Sequence, residues 1–125
     1  MNACIEKGLA NFAAAGVPRL LFITHGWGGG VEQHVRDLVS LCGSRARVAV
    51  LRAVDATRAT LTLPGGANVE LALGDWPRIV ESLSELQFDR LHLHHVHGLP
   101  PEILSLDTAL ERPLDCTLHD YWAVC

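Results

Sequence analysis

The sequence predicts an α/β fold built on a doubly wound parallel sheet. Short apolar runs of strand length alternate with stretches of helical periodicity, and a glycine-rich turn joins the first run to the first helical stretch. With 125 residues, 49% of them apolar and 19% charged, the chain has the composition of one globular domain with a single core.

Strand one is RLLFIT, residues 19–24, opened by Pro18 and closed by His25 and Gly26. Four glycines then fall within five positions (Gly26, Gly28, Gly29, Gly30). Val31, Val35, Leu38, Val39 and Cys42 follow at helical spacing, with Gly43 as the stop. RVAVLRA, residues 47–53, is strand two and completes a βαβ unit. LTL at 61–63 and VELAL at 69–73 flank Pro64, Gly65 and Gly66, and read either as a hairpin or as a loop followed by strand three.

Ile79, Val80, Leu83 and Leu86 place a helix over 76–86, with Asp75 as N-cap and Pro77 in the first turn, where proline is tolerated. RLHLHHV at 90–96 is strand four, PPEILSLDTAL at 100–110 a helix and LDCTLHD at 114–120 strand five. Right-handed crossovers leave few topologies for this alternation, and 3-2-1-4-5 is the expected strand order. Residues 1–17 precede the sheet as a tail or linker.

Charge narrows the partners. Ten basic against 14 acidic residues, a net charge of −4, give no footprint for a phosphodiester backbone. No run approaches the roughly 18 apolar residues of a membrane span, and the amino-terminal stretch lacks the hydrophobic block of a signal peptide. Cys4, Cys42, Cys116 and Cys125 fit neither a CxxC motif nor a disulfide framework, so reduced thiols in a cytoplasmic protein are expected.

The chemistry gathers at strand ends. In an open α/β sheet, ligands bind beyond the carboxyl ends of the strands where successive crossovers diverge. His25 ends strand one, His95 and His97 end strand four, and His119 with Asp120 ends strand five, so the topology sends them to one edge. The loop HGWGGGVE brings bare backbone and helix amides to the same place. It fails the GxGxxG dinucleotide fingerprint, because Val31 stands where the third glycine belongs, and it lacks the GKS or GKT of a P-loop.

Glu32 lies in the first helical turn, where the helix dipole favours an acid. It is also placed to accept from sugar hydroxyls or to pair with a basic group, and His34 shares the turn. Alternation along a strand separates His92 and His94 from His95 and His97, so these four cannot close one tetrahedral metal site. The first pair reads as core residues under a helix, the second as ligand-facing. Tyr121 and Trp122 add aromatic faces next to His119, a combination suited to sugars, though Trp122 serves equally well as a plug at the sheet edge.

GWGGGVEQHVRDL, HLHHVHGLP and LHDYWAVC, in that order over residues 19–125, resemble the amino-terminal domain of retaining glycosyltransferases of family 4, which have GT-B architecture. The resemblance implies a Rossmann-like, acceptor-side domain over 18–125 that stops inside the family pattern. A second domain would grip a nucleotide-sugar donor, and neither a cofactor nor an obligatory metal is involved. It implies that Gly28, Gly29 and Gly30 approach the donor's diphosphate and sugar, that His119 touches the transferred sugar, and that Asp120 supports it. The acceptor is a sugar or lipid-linked molecule, and the location is cytoplasmic or peripheral to the inner face of the membrane. Alone, the chain is expected to be inactive.

Two other classes compete with this reading. One is a non-catalytic flavodoxin-like or receiver-like binding module, although strand one lacks a receiver's paired acids. The other is a His/Asp hydrolase using water or zinc.

Overall fold

The structure is a computed structural model that describes residues 6, 8, 9, 12, 16–26 and 29–117. A six-stranded mixed sheet runs through it, with helices on both faces. The strands are β1 (Arg19–His25), β2 (Arg47–Ala53), β3 (Arg58–Thr62), β4 (Asn68–Ala72), β5 (Arg90–Leu93) and β6 (Leu114–Cys116). The helices are α1 (Gly29–Cys42), α2 (Trp76–Glu85) and the short α3 (Leu106–Leu110), which continues a 3-10 turn over Pro101–Ser105. Among the described residues no helix is long and apolar enough to cross a membrane.

The expected order 3-2-1-4-5 is not the one found. The sheet reads β4-β3-β2-β1-β5-β6, and β3 alone runs against the other five strands. Local turn chemistry inserts it. After β2, the Asp55 carboxylate accepts from the Thr57 and Arg58 amides, both at 2.9 Å, and binds the Arg58 guanidinium at 2.8 Å, which folds the chain straight back. These bonds hold the Asp55 carboxyl well below the usual carboxylate range, the Thr57 amide being the largest cause. After β3, Gly65 and Gly66 turn the chain again at φ of 95° and 97°, which side-chain-bearing residues rarely adopt.

Three further boundaries differ from expectation. Strand four stops at Leu93 rather than residue 96, because the amides of His94 and His95 both converge on the Ile23 carbonyl, at 2.8 and 3.3 Å, and the ladder ends there. The helix expected over 100–110 begins as a 3-10 turn behind Pro100 and ends at Glu111, whose φ is 54°. Strand five is described over Leu114–Cys116, and residues 118–120 lie outside the described residues.

Strand alternation divides the core. Phe22 of β1 with Val48 and Val50 of β2 face α1, whose one fully buried side chain is Val35. Leu21, Ile23, Leu51 and Leu91 face the other way, onto Ile79 and Leu83 of α2, Ile103 and Leu106. The sequence offered no place in the fold for Phe12, yet it is fully buried in this second layer, edge-on to Phe88 with ring centroids 5.4 Å apart. The helix ends are legible in the residues that form them: Gly43 closes α1 at φ of 52°, and the Asp75 carboxylate accepts the Arg78 amide at the start of α2.

Candidate functional site

The chain leaves β1 over α1 on one face and returns to β5 over α2 on the other, so the crossovers diverge between β1 and β5. Three of the histidines singled out from sequence meet at the carboxyl edge of that gap. The His25 ring lies 4.8 Å from that of His95 and 6.1 Å from that of His97, and the last two are 6.2 Å apart, centroid to centroid. Their exposure is graded: His25 is buried, His95 half-buried and His97 exposed.

A backbone bond sets the chemistry of the middle ring. The His97 amide donates to His95 Nδ1 at 3.0 Å, so the neutral His95 ring carries its proton on Nε2 and presents a donor there. Among the described residues no group of three His, Cys, Asp or Glu side chains is arranged to hold a metal ion.

Gly29 opens α1, four positions after His25. Gly29 has φ of 84°, a conformation that calls for glycine. A Cβ at Gly30 would meet nothing within 4 Å. Packing therefore does not require glycine at 30. Glu32, whose side chain is 14% exposed, pairs with Arg36 one turn on at 3.2 Å, so its visible bond is the helix-stabilising one. Gly28, His119, Asp120, Tyr121 and Trp122 lie outside the described residues.

His34, His92 and His94 form a separate group at α1. His94 is fully buried, its ring centroid 4.5 Å from that of His92, 4.9 Å from Phe22 and 5.7 Å from His34 on the helix. His92 shares a hydrogen bond of 2.6 Å with the Thr117 hydroxyl. Burial pushes the His92 imidazole below its ordinary value of 6.5, with His34 and Arg90 adding to the effect and Asp115 opposing it.

The sign follows from proton counting. The unfolded chain binds more protons than the folded one between 6.5 and the lower folded value. Stability attributable to His92 is therefore complete above pH 6.5 and is lost as pH falls through that window. Urea midpoints measured from pH 8 downward are expected to drop below pH 6.5, with a shallower drop in His92→Gln; an equal slope in both proteins would contradict the assignment.

Several cavities flank α2. One of about 350 Å³ is lined by Leu9, Phe12, Val69, Leu71 and Leu86 on the α2 side. Two polar residues of the sheet escaped the sequence reading. Thr24 and Arg52 are register partners on β1 and β2 and stand on the α1 face. Alternation was the available signal, since they continue the rows of Phe22 and Val50.

No family model matches the chain, and neither a curated relative nor a similar solved structure was found.

Proposed function

We propose that the chain is the acceptor-side α/β domain of a retaining glycosyltransferase, serving transfer of a sugar from a nucleotide-sugar donor to a sugar or lipid-linked acceptor. One observation carries the reading: His25, His95 and His97 converge at the divergence point of the crossovers, and a helix opened by glycine begins four positions after His25. Sugar transfer with retention asks a protein for placement and for stabilisation of charge on the departing diphosphate, rather than for a nucleophile. Backbone at Gly29 and Gly30 admits a polar ligand closely, and the His95 Nε2–H donates to an oxygen arriving at the edge. By the resemblance, Gly28 extends the loop contact, His119 and Asp120 complete the hydrogen bonding to the sugar, and Tyr121 supplies a stacking face. The same resemblance assigns the firm grip on the nucleotide to a second domain, so this chain binds donor without turnover.

The imidazole Cε1–H signals of the chain, assigned by single histidine substitutions and followed by NMR during titration with nucleotide sugars, test the proposal. Signals of His25, His95 and His97 are expected to shift together and saturably, while those of His92 and His94 stay in place. Shifts confined to the second pair, or none at millimolar ligand, would overturn it.

A further inference from the structure

The α2 side of the sheet is not fully closed at its edge. β4 is the edge strand, and its alternate residues Val69 and Leu71 face the α2 side yet stay half-buried. The cavity of about 350 Å³ opens there, within the size range of small-molecule sites, and the buried Phe12 and Leu61 with the half-buried Leu86 extend its apolar wall. Its polar lining consists of Arg19, Ser82 and Glu85. Ser82, Glu85 and Leu86 stand at i, i+3 and i+4, so they share one face at the end of the helix. Arg19 is held in place. Its Nη1 donates to the Leu86 carbonyl at 3.1 Å, and its guanidinium carbon stands 5.7 Å from the centroid of the Phe12 ring. The Ser82 hydroxyl and the Glu85 carboxylate make no hydrogen bond or ion pair among the described residues.

We propose that this cavity binds an uncharged amphiphile, an alkyl chain that ends in a hydroxyl group. At liquid density its volume holds about a dozen non-hydrogen atoms. The apolar wall takes the chain out of water. The lining carries one charge of each sign, so a carboxylate head would be repelled by Glu85 and an ammonium head by Arg19. A hydroxyl head meets neither penalty: it donates to the Glu85 carboxylate and accepts from the Ser82 hydroxyl, the two groups that lack partners. The cavity is remote from the histidine edge, because Arg19 opens β1 and His25 closes it, about 20 Å along the strand. The inference therefore stands whether or not that edge handles sugars.

The test is titration calorimetry of the chain with n-decanol, decanoate and decylammonium. Decanol is expected to bind saturably and about tenfold more tightly than either charged analogue. n-Octanol is expected to bind about tenfold more weakly than decanol, for the two methylenes it lacks. Val69→Phe places a ring in the cavity and is expected to abolish binding while the melting temperature holds. Glu85→Ala has a sharper signature. The residue is exposed, so the fold is kept, and decanol affinity is expected to fall about fivefold with the loss of the acceptor. Decanoate is expected to bind more tightly to the same variant, because Arg19 is then the only charge on the lining, and the preference for alcohol over carboxylate reverses. A residue that only supports the helix would not produce that reversal, so Glu85→Ala decides the matter even if Val69→Phe fails to fold. Absence of decanol binding, equal affinity for octanol, a charged analogue that binds as tightly as decanol, binding that survives in folded Val69→Phe, or an unchanged order of ligands in Glu85→Ala would each overturn the inference.

Discussion

Val35→Asp is expected to unfold most of the protein. Val35 is 1% exposed and is the only fully buried side chain of α1, set against Phe22, Val48 and Val50. A carboxylate there loses its water and finds only apolar groups in the cluster around it, which costs about 4 kcal/mol even after relaxation. Domains of this size are stable by roughly 5–15 kcal/mol, so such a loss consumes a large fraction of the whole. Val35→Ala is the milder companion, at about 2 kcal/mol for two lost methyl groups and the space they leave. Urea unfolding of the three proteins measures the series. An Asp variant within 1 kcal/mol of the parent would mean that α1 does not sit on this face.

The parts of the fold that the sequence made legible are those in which local signals agreed. Pro18 before RLLFIT, helical spacing from Val31 to Cys42, Gly43 as the stop and RVAVLRA after it define one βαβ unit, and the structure has it. The same holds for α2, where Asp75 and Pro77 start the helix at Trp76. The edge of the sheet was legible only in part: of the two readings of 61–73 the hairpin is the one found, β3 and β4 pairing antiparallel, but the start of β3 at Arg58 and its reversal against β2 were not foreseen. RATLT at 58–62 is too short and too polar to declare itself, and its pairing depends on the Asp55 turn, a matter of hydrogen-bond geometry. Pro64, Gly65 and Gly66 did announce a turn, but a turn does not say whether the strand before it reverses the sheet.

Strand four was read too long for a related reason. His94 and His95 continue the pattern of LHLHH, yet no periodicity reveals that two successive amides will share the Ile23 carbonyl and lead the chain off the ladder. That departure shapes the candidate site. It lets His95 and His97 turn toward His25 while His94 stays beneath α1, a partition that simple alternation anticipated for the right residues but with a strand that continues past the point where it stops. Thr24 and Arg52 went unnoticed because Thr ending a strand and Arg near a turn are ordinary in sequence. Only the missing partners make them unusual.

The run HLHHVH therefore contains two kinds of histidine, and stability should separate them. His94 is fully buried among Phe22, His92 and His34, and its amide is the 2.8 Å bond that closes the β1–β5 ladder. Truncating its ring to alanine leaves the backbone bond intact but opens a cavity under α1, a change expected to cost about 3 kcal/mol. His97 is exposed, its ring 6.1 and 6.2 Å from those of His25 and His95, and its amide bond to His95 Nδ1 is one that alanine keeps. His97→Ala is expected to remain within about 0.5 kcal/mol of the parent. Denaturant midpoints at pH 8, above the window in which His92 takes up a proton, compare the two without interference from titration. Equal losses at 94 and 97 would mean that the histidine edge is itself packed structure, with no ring at liberty to meet a ligand. A large loss at 94 alone would assign His94 to the core and His97 to the edge, where its ring is not needed for the fold.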